Sequence, residues 1–355
     1  MQMPPSLTQN DSRELGDTKY QLAARKAWKT IRSNRAKLLA EGSAQLDEFA
    51  VRENAGKEVL NSSRLIADFD KTPSDIACGR FVELRWGFGC PLDCNYCYLR
   101  GTRKGDMRPR FIDFKYISKA LDESFRTRTI SSIYNTGELS DSLMNPALME
   151  QIVDKFEEQD RHRVFLLSKF GPKNVEFLIK KPRRQVICAW SINAIEVAKR
   201  WEKAAAHPER RIEAARLVYQ AGYDTRVRID PMFPIDDWKI HYEDILYRIF
   251  DAFEPRRVIL GTPRGLWKTI EYAKRAGLDM SWSEFFAPEE TGWGKKLPES
   301  TRLEVYQYVM DKLQGIGYPT ERVTLCKETM SLWEKLGRRV RKFNCNCYGP
   351  EAKTI

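Results

Sequence analysis

The chain has 355 residues, room for two domains or one large α/β barrel with additions, and it can build a core without disulfide staples. It holds no run of about 18 apolar residues and no apolar segment near its polar N-terminus. A transmembrane helix and a secretory leader are therefore excluded from expectation, and the cytoplasm is the expected compartment, with no membrane partner. The net charge of +11 favours a polyanionic partner, most simply nucleic acid.

Residues 1–17 read as a disordered tail and 18–75 as a helical N-terminal extension. Leu22, Ala23, Trp28, Ile31 and Leu38 recur there at roughly helical spacing among Lys and Arg. This arm reads as a solvated helix on the main domain before it reads as a nucleic-acid contact. Beyond it, short β-rich runs alternate with amphipathic stretches. Strands are predicted at Phe81–Trp86, Ser132–Thr136, Val164–Lys169, Val186–Asn193, Thr225–Ile229 and Val258–Gly261. Helices such as 145–158, 208–221 and 239–253 fall between them. Such alternation implies parallel βαβ units. The fold class is α/β: a partial TIM-type (β/α)6 barrel over 76–265, with the helical extension before it and a small C-terminal region, 266–355, for substrate or DNA. That region is predicted to hold helices near 300–315 and 328–340, and Glu289–Pro298 reads as a loop or hairpin. Chemistry in barrels of this kind sits at the C-terminal ends of the strands.

Directly after the first barrel strand stands Cys90-Pro-Leu-Asp-Cys94-Asn-Tyr-Cys97. The chain has eight cysteines, and in a reducing compartment clustered cysteines point to metal rather than to disulfides. Three thiolates at CxxxCxxC spacing can hold an iron–sulfur cube and leave one iron open to a substrate or cofactor. Gly87 and Gly89 allow the loop to bend tightly around it. Spacing alone also admits a structural or zinc role, although His162, His207 and His241 all lie far from the cysteine pairs and fit a mixed Cys/His finger poorly.

With this motif the sequence resembles the radical S-adenosylmethionine (SAM) superfamily, and within it the spore photoproduct lyase-like branch. CNYCYLRGT, Gly137-Glu-Leu-Ser-Asp141 and the stretch 190–234, from WSINAIEVAKRW to RIDPMFP, carry the resemblance, which covers roughly residues 80–260. It implies a [4Fe–4S] cluster on Cys90, Cys94 and Cys97, SAM on the open iron, and a 5′-deoxyadenosyl radical that takes hydrogen from the substrate. It places Ser140, Lys169 and Ser191 where the family contacts SAM, each at the end of a predicted strand. Lys169 suits the SAM carboxylate, Asp230 stands where a backbone carbonyl meets the adenosine, and Tyr96 flanks the cofactor. Thr136-Gly137-Glu138 resembles the superfamily's Gly-Gly-Glu motif, whose Glu accepts from the SAM ammonium. Tyr98 is a candidate to relay or quench a radical.

One position departs from the family. Where the lyases carry the cysteine that returns hydrogen to the product radical, this chain has Glu138, so Glu138 is read both as a SAM ligand and as a substrate-side catalytic residue. The resemblance then implies a relative that modifies or isomerises a thymine-derived base in DNA, for example an amino-acid-decorated thymidine such as glycyl-thymidine, as among enzymes that hypermodify thymine in phage DNA. A reductant such as flavodoxin or ferredoxin is implied as a partner. The alternatives are lyase-type thymine-dimer repair with Cys188 as donor, a radical SAM enzyme for a small molecule or tRNA, and a non-catalytic iron–sulfur protein that binds nucleic acid.

Three basic patches are candidate phosphate contacts. They are Arg100, Arg103, Lys104, Arg108 and Arg110; Lys180, Lys181, Arg183 and Arg184; and Lys335, Arg338, Arg339, Arg341 and Lys342. Trp293, Lys295 and Lys296 lie in a loop resembling the lyases' lesion-probing hairpin. Cys326, Cys345 and Cys347 are either a second metal site or free thiols, and Cys78 reads as structural.

Overall fold

The computed structural model describes residues 65–69, 72–78, 81–288, 290–291 and 294–338. The expected tail, most of the expected extension, Trp293, Arg339, Arg341, Lys342, Cys345 and Cys347 lie outside the described residues. In chain order the strands are β1 (Ile66–Asp68), β2 (Ile76–Ala77), β3 (Val82–Leu84), β4 (Gly87–Phe88), β5 (Arg110–Phe111), β6 (Ile133–Asn135), β7 (Arg163–Ser168) and β8 (Val186–Ser191). There follow β9 (Asp224–Ile229), β10 (Val258–Leu260), β11 (Arg264–Gly265), β12 (Glu290–Thr291), β13 (Gly294–Lys296), β14 (Val323–Leu325) and β15 (Glu328–Thr329).

The main sheet runs β1-β3-β6-β7-β8-β9-β10-β14. Every neighbouring pair from β3 onward is parallel, and β1 lies antiparallel on β3. All six predicted strands are present, each within a few residues of its expected bounds. The sheet is the partial barrel of the expected fold class with a seventh parallel strand. That strand, β14, comes from the C-terminal region and was missed because three residues carry too little periodicity to read. Ile66–Asp68, inside the span expected to be helical, is a strand for the same reason. The predicted helix near 328–340 is confined to Met330–Lys335, where Gly337 (φ +67°) ends it. A helix at Trp267–Arg275 was not predicted.

Parallel strands covered on both faces should be nearly continuous in apolar residues, and β7 and β8 are. Alternate residues then separate into two layers. Val164, Leu166, Val186, Cys188 and Trp190 join the outer core with Ile152, Phe156, Ile212 and Val218 of the helices Pro146–Phe156 and Pro208–Gln220. Ile133, Phe165, Ile187 and Ala189 form a smaller inner cluster with Leu167 packed against it. This apolar plug fills the barrel and leaves its C-terminal mouth open. Asn145 and Asp113 cap the helices that follow them, accepting from the Leu148 and Lys115 N–H groups. Two small ladders dress the mouth: β11-β13-β12, the hairpin expected near 289–298, and β15 on β2. Among the described residues no helix is long and apolar enough to cross a membrane.

Candidate functional site

A cavity of about 880 Å³ opens at the C-terminal ends of the parallel strands. Its lining brings together all the expected site residues: Cys90, Cys94, Cys97, Tyr96, Tyr98, Glu138, Ser140, Lys169, Ser191 and Asp230. They come from one loop and four strand ends, as the barrel rule requires.

The cysteine loop is shaped by its backbone. Gly89 takes φ +77°, and a Cβ there would stand 2.4 Å from the Arg108 carbonyl oxygen. The Cys90 N–H donates to Met107 O at 2.9 Å and the Asn95 N–H to Trp201 O at 2.9 Å. Buried Arg100 pairs with Asp93, itself in the left-handed region at φ 47°. All three thiols are free; Cys90 and Cys94 are buried and Cys97 is half-buried. Burial pushes each thiol up, while Lys169 pulls Cys94 and Cys97 back toward the thiolate and Arg211 does the same for Cys94. No three His, Cys, Asp or Glu side chains among the described residues converge on a single-ion position. Two buried thiols and a half-buried one beside a roomy cavity fit a group with an open face.

Beside the loop lies a buried polar network. Lys169 Nζ donates to Ser191 Oγ at 2.8 Å and to Glu202 Oε1 at 2.9 Å. The Tyr96 hydroxyl donates to the same carboxylate, and Arg211 Nη1 meets its other oxygen at 2.5 Å. Burial works against the charge on Glu202, but Arg211 and then Lys169 outweigh it and hold the carboxyl at about 2. Asp141 fixes the end of β7: it accepts from Ser168 Oγ at 2.7 Å and from the Lys169 N–H at 2.8 Å. Ser140 Oγ donates to Thr136 O at 3.4 Å. Ser191 Oγ donates to the Asp230 carbonyl at 3.4 Å. The Asp230 carboxylate takes Arg228 at 2.8 Å and Arg264 at 3.2 Å, and these cations overcome its burial to hold it at about 2.

On the other side of the cavity Tyr98 donates its hydroxyl to the Glu138 carbonyl at 2.5 Å. The Glu138 carboxylate accepts from Asn135 Nδ2 at 3.1 Å and lies 3.7 Å from Lys327 Nζ.

Several expectations are corrected. Cys188 faces the outer core, not the cavity, because it alternates with Ile187 and Ala189 of the inner cluster. Arg100, Arg183 and Lys296 are buried and have acidic neighbours: Asp93 for Arg100, Asp154 and Glu150 for Arg183, and Glu328, 3.8 Å from Lys296. None of the three is a surface phosphate contact. Cys326 Sγ accepts from Arg228 Nη2 at 2.8 Å, while Cys345 and Cys347, its expected companions, lie outside the described residues, so the choice between a second metal site and free thiols stays open. Sequence reasoning missed Asp141, Glu202, Arg211, Arg228, Arg264 and Lys327. The first four lie inside or beside the quoted motifs and could have been found as charges next to Ser140, Ser191 and Asp230. Arg264 and Lys327 carry no local signal.

The family model described as spore photoproduct lyase matches residues 80–258. The chain belongs to the spore photoproduct lyase family. Curated spore photoproduct lyases of Clostridium acetobutylicum and Bacillus subtilis are 24% identical over 168 residues and 25% identical over 184. These stretches are 46% and 48% of this chain and 50% and 51% of the relatives, so the chain spans about half the length of the curated relatives it matches. A solved spore photoproduct lyase complexed with dinucleoside spore photoproduct superposes with a TM-score of 0.58 at 18% identity, over 72% of this chain and 78% of that one. A mutant lyase with bound AdoMet and the same dinucleoside gives 0.58 at 17%, over 70% and 77%. They share the partial-barrel fold.

Proposed function

We propose that this chain is a radical SAM enzyme that modifies or isomerises a thymine-derived base in DNA, with an amino-acid-decorated thymidine such as glycyl-thymidine as the substrate that fits best. One observation carries the choice within the family. Glu138 stands where the lyases have their hydrogen-donating cysteine, and among the described residues the three loop cysteines are the cavity's only thiols. An isomerisation returns the hydrogen it borrows and needs no thiol from the chain.

When bound, the cluster and SAM supply the 5′-deoxyadenosyl radical that begins the reaction, with an electron from a reductant such as flavodoxin or ferredoxin. In this reading Cys90, Cys94 and Cys97 hold the cluster. Lys169, Ser140 and Ser191 orient SAM, and Lys169 is itself held by Glu202. The Asp230 carbonyl faces the adenosine. Tyr98 and Glu138 stand on the substrate side, where the tyrosine steers or quenches the product radical. The barrel, 76–265, carries the cofactors, and 266–355 meets DNA. Trp267, 61% exposed, supports the DNA contact: it follows cavity-lining Leu266, and Lys268 Nζ lies 5.3 Å from its ring centroid.

The test is anaerobic reconstitution with iron and sulfide, followed by measurement of 5′-deoxyadenosine with and without thymine-containing DNA, including modified phage-type DNA. Formation stimulated by DNA and lost in Cys90→Ala is the expected result; none from a loaded cluster leaves only a nucleic-acid-binding protein. Lyase-type repair is a second reading, favoured by the family itself. It predicts thymidine released from a photoproduct-containing strand, whereas isomerisation leaves nucleoside mass unchanged.

A further inference from the structure

Thymine is a neutral base, and a pocket for it needs amides, hydroxyls and backbone groups. The substrate side of this cavity is instead lined by full charges of both signs, including Glu138, Asp230, Arg228, Arg264 and Lys327. Holding charges away from water is costly unless each meets its opposite. Arg264 Nη1 donates to the Cys326 carbonyl at 3.0 Å, which sets its guanidinium beside the next residue, Lys327. The Lys327 ammonium lies 4.8 Å from the Phe69 ring centroid and 3.7 Å from Glu138 Oε2. Lys327 also holds φ 53°, a left-handed backbone that a β-carbon disfavours and that persists only where the surroundings impose it. Two cations and a carboxylate thus face one space, beside the Tyr98 hydroxyl on the Glu138 carbonyl.

We propose that Arg264 and Lys327 bind the carboxylate of an amino-acid substituent on the base, while Glu138 receives its ammonium. This rests on the thymine-modifying reading above and names the substrate class: a base whose substituent is zwitterionic. Asp230, which also pairs with Arg228 at 2.8 Å, holds Arg264 at 3.2 Å. The guanidinium supplies a planar fork for the carboxylate, and the ammonium a point charge beside it.

The experiment uses the reconstituted enzyme and two DNA duplexes, one carrying glycyl-thymine and one carrying the same base with the acid converted to a neutral carboxamide. The readout is the ratio of kcat/KM for the two in one preparation, which cancels losses from folding or cluster loading. The wild type is expected to favour the acid at least tenfold. Lys327→Met and Arg264→Gln each bring the ratio toward one, through KM, and Lys327→Arg keeps it. Equal turnover of acid and amide by the wild type, or variants that keep the ratio, overturns this inference alone. Turnover of a spore-photoproduct strand, with neither duplex converted, overturns the thymine-modifying reading instead.

Discussion

Glu202 takes a phenol, an ammonium and a guanidinium on one carboxylate that has no access to water. Removing one member of a buried ionic set leaves the others uncompensated, a loss of about 3–5 kcal/mol. Glu202→Ala should therefore cost about that much in denaturant unfolding, while Tyr96→Phe, which removes one hydrogen bond to a charged group, costs about 1.5–3 kcal/mol. Acid acts first elsewhere. His162 is 1% exposed, stacked on Phe125 at 5.5 Å, and burial followed by the Arg161 charge lowers it to about 4. A histidine held below its ordinary 6.5 leaves stability intact above that value. Stability falls as the pH drops from about 6.5 to about 4, by roughly 3 kcal/mol at most. The depressed carboxyls Glu202 and Asp230 add their loss lower, from about 4.5 and 3.8 toward about 2. Thermal unfolding of His162→Phe should be flatter than wild type across pH 6.5 to 4 and parallel to it below; equal slopes in the upper window would contradict this. At this scale the three cysteines and Ser191 were legible because they lie in contiguous motifs, and Lys169 because it ends a predicted strand. Arg264 and Lys327 were not, since only the sheet brings them to Glu138.

Elements transmit these contacts through a few close approaches. A Cβ on Gly89 would meet Arg108 O at 2.4 Å and Met107 O at 2.8 Å, in a backbone that L-residues avoid. Gly89→Ala should strain the cysteine loop by about 1–3 kcal/mol. Reconstituted iron per chain is expected to fall while the far-ultraviolet circular dichroism of the barrel stays near wild type; full iron loading would sink the argument. Gly261 does the same service at the end of β10, where a Cβ would stand 2.4 Å from the Asp230 carboxyl carbon. The six central strands were readable because apolar runs between amphipathic helices leave one interpretation. β1 and β14 were not, because three residues show no period, and only pairing to β3 and β10 makes them strands.

Across the whole molecule the excess of +11 does not translate into uniform availability. Lysines and arginines named for phosphate divide into buried structural cations and exposed ones. Lys104 and Lys268 are exposed on segments that pack together, for a Cβ on Gly101 would meet the Thr269 backbone at 2.7 Å. Lys104→Ala and Lys268→Ala should each lower the salt slope of DNA binding by about 1, whereas Lys296→Ala leaves it unchanged because that ammonium faces Glu328. Fluorescence anisotropy across a salt series reads this directly, and a slope altered by Lys296→Ala would refute the division.

The first and last strands of the main sheet, β1 and β14, are not neighbours in its order. What spans the seam at the mouth is the two-residue ladder of β15 on β2 and the ammonium of Lys327 over the ring of Phe69. Among the described residues, the girth of the opening there is held by a clasp of one short backbone ladder and a side-chain contact rather than by continuous sheet bonding. Descent with modification can let that clasp out or take it in by exchanging two or three residues, with the cofactor floor untouched. On the proposed function, one frame is refitted in this way from a crosslinked pair of bases to a single base that carries an ornament.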